Sequence, residues 1–242
     1  MAFDEPQIII GHRGAAGLMP ENTLPGFARA QQCGVHAVEL DVRLCGGRLC
    51  VIHDEDLART TDGTGKIADF DLAELRALNA GEGALIPFLE EVFDCLAEQV
   101  GVNVELKGAG TAKPLAKLLR DYAERDVLVS SFDHQALFDL RDIAPHIPLA
   151  PLFSRWSSNP CKVAIELGAK FINLSHRLVN ERRLQEIRGN GLRPLVYTVN
   201  DLSQADRLFK IGVTGLFTDY PDRITLAALD DLDPARADIS HQ

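Results

Sequence analysis

The chain has 242 residues, 46% hydrophobic and 25% charged, a composition that excludes a disordered polypeptide and can bury a large core. Lys and Arg total 25 against 35 Asp and Glu, a formal charge of −10, which argues against nucleic acid or stable association with an anionic membrane. An anionic substrate would need a local cation. No apolar run approaches the roughly 20 residues that cross a bilayer. The opening "MAFDEPQIIIGHRG" has acids where a secretory signal has bases, so the fold is expected to begin directly with a strand. The cysteines (Cys33, Cys45, Cys50, Cys95 and Cys161) are odd in number and lack a C-x-x-C pair. They read as free thiols of a cytoplasmic protein, with a disulfide between Cys45 and Cys50 across the turn "GGRL" as the weaker alternative.

In chain order, the strand "QIIIG" (7–11) is followed by the amphipathic segment "TLPGFARAQQCG". The strand "AVELDV" (37–42) comes next, and the following helix is expected only near "IPFLEEVFDCLAEQ". Then "VNVELK" (102–107) precedes "TAKPLAKLLRDYAERD", and "VLVSSF" (127–132) precedes "DHQALFDLRDIA". "PLAPLF" (148–153), "KFINLS" (170–175), "RPLVYTV" (193–199) and "TGLFTD" (214–219) complete the strands, with "VNERRLQEIRGNG" and "LSQADRLFKIG" among the later helices. Gly34, Gly168, Gly189 and Gly212 stand where helices should stop. About eight βα units of ~30 residues match a (β/α)₈ TIM barrel better than an open doubly wound sheet. The interval between the second and third strands is too long for one helix, so a small insertion, a hairpin and loop over about 43–86, is expected at the barrel mouth. The polar tail after Asp230 reads as frayed.

Barrel enzymes place their chemistry at the C-terminal strand ends. Those ends carry His12 and Arg13, then Glu39 and Asp41, then Glu105 and Lys107. Residues two apart on a strand share a face, so Glu39 and Asp41 point together while Val38, Leu40 and Val42 point away. With Glu105 on the adjacent strand, three acids converge and repel unless a cation lies among them. All-oxygen ligation favours one hard divalent cation, Mg²⁺ or Ca²⁺, with Mn²⁺ as an alternative. The competing reading pairs each acid with a base such as Arg43 or Lys107. If a metal is the answer, Glu39→Gln or Asp41→Asn should lower activity by orders of magnitude while leaving, or even raising, thermal stability.

His12 lies between glycines in "GHRG", which permit close approach, and His53 ends the hairpin in "VIHDED". Two imidazoles beside a metal suit general acid and base work, and Arg13 and Lys107 suit a phosphate. "PENT" (20–23) reads as a helix cap through Asn22 or Thr23. His36, His134, His146 and His241 have no companions and read as surface or structural. The residues together suggest phosphoryl transfer on a phosphate ester.

The linked motifs "GHRGAAGLMPENTLPGF", "AVELDVR" and "VIHDEDLARTTDGTG" resemble the glycerophosphodiester phosphodiesterases, as do "VNVELK", "VLVSSFD", "LVYTVND" and "GVTGLFTDYPD". The resemblance spans nearly the whole chain. It implies a single TIM-barrel phosphodiesterase domain over 1–242, of the compact cytosolic bacterial type. It also implies hydrolysis of small-molecule glycerophosphodiesters, deacylated phospholipids, to sn-glycerol 3-phosphate and an alcohol. It makes His12 and His53 the catalytic acid and base, in an order left open, and Glu39, Asp41 and Glu105 the metal ligands. Arg13 and Lys107 become phosphate contacts. Tyr197 stands in "YTVN" where many relatives have Trp, so it is assigned to the substrate cleft, whose wall is expected to differ. The nucleophile is either the glycerol 2-hydroxyl or water. Phospholipase-like action on intact lipids is disfavoured by the charge, and a non-catalytic barrel by the presence of both histidines.

Overall fold

The apolar runs become parallel strands and the amphipathic segments become helices that cover them. The computed structural model describes residues 1–156 and 159–232. After a 3₁₀ turn at Ala2–Asp4 come β1 (Ile8–Gly11), α1 (Leu24–Gln32), β2 (Ala37–Cys45) and β3 (Arg48–Val51). Two further 3₁₀ turns, at Leu57–Arg59 and Ile67–Asp69, lead to α2 (Leu72–Ala77) and α3 (Leu89–Cys95). Regular alternation follows: β4 (Gly101–Leu106), α4 (Ala112–Leu118), β5 (Val127–Ser131), α5 (His134–Ile143), β6 (Leu149–Phe153) and α6 (Pro160–Glu166). The chain continues with β7 (Phe171–Ser175), α7 (Glu181–Gly189), β8 (Arg193–Tyr197), α8 (Leu202–Lys210), β9 (Gly215–Thr218) and α9 (Leu226–Leu232).

Every strand but β3 runs parallel to its neighbours, and β1 pairs with both β9 and β2, closing a (β/α)₈ TIM barrel. Alternation along the strands sorts the side chains. Val38, Leu40 and Val42 of β2 join the outer core beneath the helices, with Val102, Val104 and Leu106 of β4. Ile8, Ile10, Leu128, Ala150, Phe171, Leu195 and Phe217 fill the lower lumen, which Ala2 and Phe3 extend. Above that apolar layer the lumen turns polar, and there the site begins.

The insertion is a hairpin grown from β2. Its strand β3 pairs antiparallel with the extended end of β2, Val42 opposite Val51 and Cys45 opposite Arg48. It has a core of its own, including Cys45, Cys50, Ile52, Leu57, Ile67, Leu75 and Phe88. Cys50 faces Arg43 rather than Cys45 in this register, and all five cysteines are free.

Two expectations are refined and one is corrected. Helix α7 ends at Gly189 as expected, and Gly191 two residues on, with φ +73°, supplies the left-handed turn behind it. Helix α9 carries ordered chain to Leu232, past the point where fraying was expected. The remaining tail, 233–242, and with it His241, lies outside the described residues. The glycines of "GHRG" permit close backbone approach as expected, since a Cβ on Gly14 (φ +83°) would lie 2.7 Å from the Gly26 backbone of α1.

Candidate active site

The β2–β4 register sets Asp41 beside Glu105 and Glu39 beside Asn103, so the two acidic strands meet in the lumen. Glu39, Asp41 and Glu105 are all buried, and each offers an oxygen within 4.8 Å of the others. Burial and the charge of Asp41 push Glu39 up to about 7 and Glu105 up to about 8. Burial would raise Asp41 too, but Lys107 and Arg13 outweigh it and hold its carboxyl below the usual range. Lys107 Nζ lies 3.3 Å from Asp41 Oδ1 and pairs with Glu105, while Arg13 Nε is 3.4 Å from Asp41 Oδ2. Arg43, the other base considered, instead donates to the His53 carbonyl at 2.9 Å.

With all three carboxylates ionised, two cations do not balance them, and Arg13 is further shared with Glu21 at 2.8 Å. Asp41 Oδ1 is buried and accepts no hydrogen bond among the described residues. A close all-oxygen donor set with a surplus of negative charge fits a hard divalent ion.

Arg13 reaches this position through a left-handed backbone, φ +50°, which costs about 1–3 kcal/mol for a non-glycine residue. Three hydrogen bonds hold it. The Arg13 N–H donates to Glu39 Oε2 (2.9 Å), the Gly14 N–H to the Glu39 carbonyl (3.2 Å), and the Asn22 N–H to the Arg13 carbonyl (3.0 Å).

Both histidines are oriented by a carboxylate on Nδ1. His12 Nδ1 donates to Asp219 Oδ1 at 2.6 Å, and Asn200 Nδ2 donates to the other Asp219 oxygen at 2.7 Å. His53 Nδ1 donates to Asp54 Oδ1 at 2.6 Å. Each neutral ring therefore keeps a free Nε2, and that of His12 lies 3.9 Å from Glu39 Oε2. Burial lowers His12, but Asp219 and Glu39 more than compensate and raise it; burial leaves His53 lowered. Asp54 is held well below the carboxylate range, first by Arg59. Arg59 pairs with Asp54 through Nε and makes a bidentate contact with Glu21, both bonds 2.8 Å. One guanidinium on the insertion thus ties the partner of His53 to the partner of Arg13.

These groups line one cavity of ≈ 240 Å³ at the C-terminal strand ends: His12, Arg13, Glu39, His53, Glu105 and Lys107, with a wall that includes Phe132, Leu152 and Tyr197. A wider groove of ≈ 610 Å³ between α4 and α5 contains no histidine and none of the clustered acids, so chemistry rather than volume identifies the site.

The glycerophosphoryl diester phosphodiesterase family model matches residues 12–223. The chain belongs to this family. Within the glycerophosphoryl diester phosphodiesterases, a hydrolase family, the glycerophosphodiester phosphodiesterase of Caldanaerobacter subterraneus is 34% identical over 232 residues, 90% of this chain and 96% of that protein. A phosphodiesterase of Oleispira antarctica, solved with its product sn-glycerol-3-phosphate, superposes with TM-score 0.86 at 32% identity, covering 95% of this chain and 99% of that one. The glycerophosphodiester phosphodiesterase of Agrobacterium tumefaciens gives 0.78, also at 32% identity, over 90% and 98% of the two chains.

The fold brings His12, Arg13, Glu39, Asp41, His53, Glu105, Lys107 and Tyr197 to one place, with some surprises in what they touch. The Tyr197 hydroxyl donates to the Phe153 carbonyl at 2.8 Å, leaving its ring to form cavity wall. "PENT" does more than cap a helix. Thr23 caps α1, accepting from Gly26 at 3.3 Å, while Asn22 Nδ2 donates to Asp41 Oδ2 at 2.9 Å and Glu21 bridges Arg13 and Arg59. His36 and His134 serve backbone groups, accepting from Ile9 N–H and pairing with the Leu152 carbonyl. Asp219, Asp54 and Arg59 escaped the sequence reading. Asp54 follows His53 directly, and Asp219 closes the last strand run, a signal available by the strand-end rule that found the others.

Proposed function

We propose that the chain, as a single TIM-barrel domain over 1–242, hydrolyses small-molecule glycerophosphodiesters to sn-glycerol 3-phosphate and an alcohol. The observation that carries this reading is the placement of two carboxylate-oriented histidines beside a buried three-carboxylate cluster, in a cavity that also holds Arg13 and Lys107. Glu39, Asp41 and Glu105 would hold one divalent cation, Mg²⁺ or Ca²⁺ or alternatively Mn²⁺, which when bound supplies charge stabilisation to phosphoryl transfer. Arg13 and Lys107 bind the phosphate. One histidine takes the proton of the nucleophile at its free Nε2 as the new P–O bond forms. The other gives a proton to the departing alcohol oxygen as the old P–O bond breaks. Asp219 and Asp54 keep the two rings in the tautomer this exchange requires. Tyr197 and Phe132 shape the cleft, and the cavity is small enough that the alcohol end extends outward. Accumulation of a cyclic glycerol phosphate in a His12 or His53 variant would distinguish attack by the glycerol 2-hydroxyl from attack by water.

A cytoplasmic setting without stable membrane association is part of the proposal, supported by the five free thiols and the charge of −10. No described helix is long and apolar enough to cross a membrane. The test is metal-depleted protein assayed on glycerophosphocholine, coupled to sn-glycerol-3-phosphate detection, with Mg²⁺, Ca²⁺ and Mn²⁺ added back separately. Activity should vanish on depletion and return with at least one ion. No metal-dependent release from any glycerophosphodiester would end the proposal.

A further inference from the structure

Asn173 has no part in the reaction outlined above, yet it lines the same cavity. It sits on β7 with its side chain in the lumen and is 0% exposed. Neither Oδ1 nor Nδ2 has a hydrogen-bond partner among the described residues. Its register neighbours are Leu152 on β6 and Leu195 on β8, so no adjacent strand offers a polar group at that level. Buried amides are almost always paired, because an unpaired one forfeits its hydration for nothing.

A second lumen amide shows how the barrel treats such a group when a partner exists. Asn103, also fully buried, donates through Nδ2 to Ser130 Oγ at 2.7 Å, so that only its Oδ1 lacks a partner among the described residues, where Asn173 lacks both. Ser130 lines the cavity, and having accepted from Asn103 its hydroxyl proton is available to a partner there. Asn173 and Ser130 thus give the polar layer above the apolar plug an uncommitted acceptor and two kinds of donor.

The chemistry of the partner follows from what Asn173 needs. A phosphate oxygen would accept from Nδ2 and repel Oδ1. A metal ion would take Oδ1 and leave Nδ2 unpaired. A hydroxyl, or two on neighbouring carbons, can accept from Nδ2 and donate to Oδ1, satisfying both. We propose that Asn173 is a specificity-determining residue that hydrogen-bonds a hydroxyl of the polyol end of the substrate. The inference rests on the proposed glycerophosphodiester reading and adds the residue that selects for the polyol.

The test is calorimetric binding, in Mg²⁺ buffer, of sn-glycerol 3-phosphate, its two deoxy analogues (propane-1,2-diol 1-phosphate and 3-hydroxypropyl phosphate) and inorganic phosphate. Wild type, Asn173→Ala and Asn173→Leu are compared. Wild type should bind sn-glycerol 3-phosphate roughly tenfold more tightly than at least one deoxy analogue, the ratio one neutral hydrogen bond is worth. In both variants that ratio should fall to about one, with inorganic phosphate affinity unchanged. Asn173→Leu should melt at or above wild type, because two unpaired polar groups leave the lumen. Failure of both variants to fold would make Asn173 structural and overturn the inference. So would equal ratios in wild type and variants, or no discrimination by wild type. If wild type hydrolyses glycerophosphocholine while these ratios do not change, this inference fails alone. If it neither binds sn-glycerol 3-phosphate nor hydrolyses any glycerophosphodiester, the functional reading fails first.

Discussion

At the scale of single residues, Glu39 and Asp41 share one face of one strand and are nevertheless unlike. Glu39 is pushed up to about 7 by burial and by the charge of Asp41, whereas Asp41 is held ionised between Lys107 and Arg13. Spacing alone makes the two equivalent, because alternation gives the shared face and says nothing of partners. The contacts revise the expectation that neutralising either is harmless. Glu39→Gln should leave the melting temperature of metal-free protein unchanged or higher. Asp41→Asn should lower it by the equivalent of about 3 kcal/mol, since two sheltered cations lose their counter-charge. Both should reduce activity at least about a hundredfold, and equal destabilisation by calorimetry would count against the distinction. A pH dependence follows with a definite sign. Glu39 and Glu105, at about 7 and about 8 in the fold against 4.5 ordinarily, contribute stability that is complete at low pH and lost as pH climbs through those values. The metal-free melting temperature should therefore fall from about pH 4.5, where the unfolded chain begins to release these protons, to about pH 8 and level off above it, while saturating Mg²⁺ flattens the curve by standing in for the protons. A metal-free melting temperature that rises over that window would contradict the assignment. His12, His53 and the three acids were legible because each stands in a strand-end motif; Asn22 and Glu21 were not, since a loop that also caps a helix looks fully explained by the cap.

At the scale of elements, the strands were legible to within a residue at their starts because parallel strands buried on both faces read as unbroken apolar runs. The α7 stop at Gly189 was legible but the residue that enforces it was not, because two glycines lie close together and only the second, Gly191, adopts the left-handed backbone. The insertion was legible as surplus chain, but its role was not, because nothing local in "DLARTT" indicates that Arg59 reaches across to Glu21 of the first βα loop. That contact makes the insertion part of the site. Without Arg59, Asp54 regains its basicity and holds the His53 imidazolium more tightly. Arg59→Gln should therefore raise the pKa of His53, followed by the NMR shift of its ring proton, leave that of His12 in place, and lower activity roughly tenfold. Equal movement of both histidines would show that the insertion acts on the barrel as a whole rather than through Asp54.

At the scale of the whole molecule, closure of the barrel brings the first strand against the last, so that His12 from one end of the chain meets Asp219 from the other. Eight units of regular length made closure legible, whereas the contact across the seam depends on a register that no local pattern contains. Closure also gathers Arg13 and Lys107 into a mouth set in a body of charge −10. These cations are spoken for by the carboxylates around them, so they act on a phosphate at contact range and do little to attract one from afar. The net field, by contrast, extends about a Debye length, some 10 Å at 0.1 M salt and 30 Å at 0.01 M. A substrate with a net negative charge should be repelled at low salt and a zwitterion should not. For glycerophosphoglycerol, kcat/KM should rise a few-fold as ionic strength increases from about 0.01 to 0.1 M, while that for glycerophosphocholine, whose charges cancel, stays nearly level. The difference between the two slopes removes any general effect of salt on the enzyme. Parallel slopes would mean that the field at the mouth is set by the bound ion and its neighbours rather than by the acidic surface, and a falling slope for the anion would mean that the mouth steers substrate inward despite it.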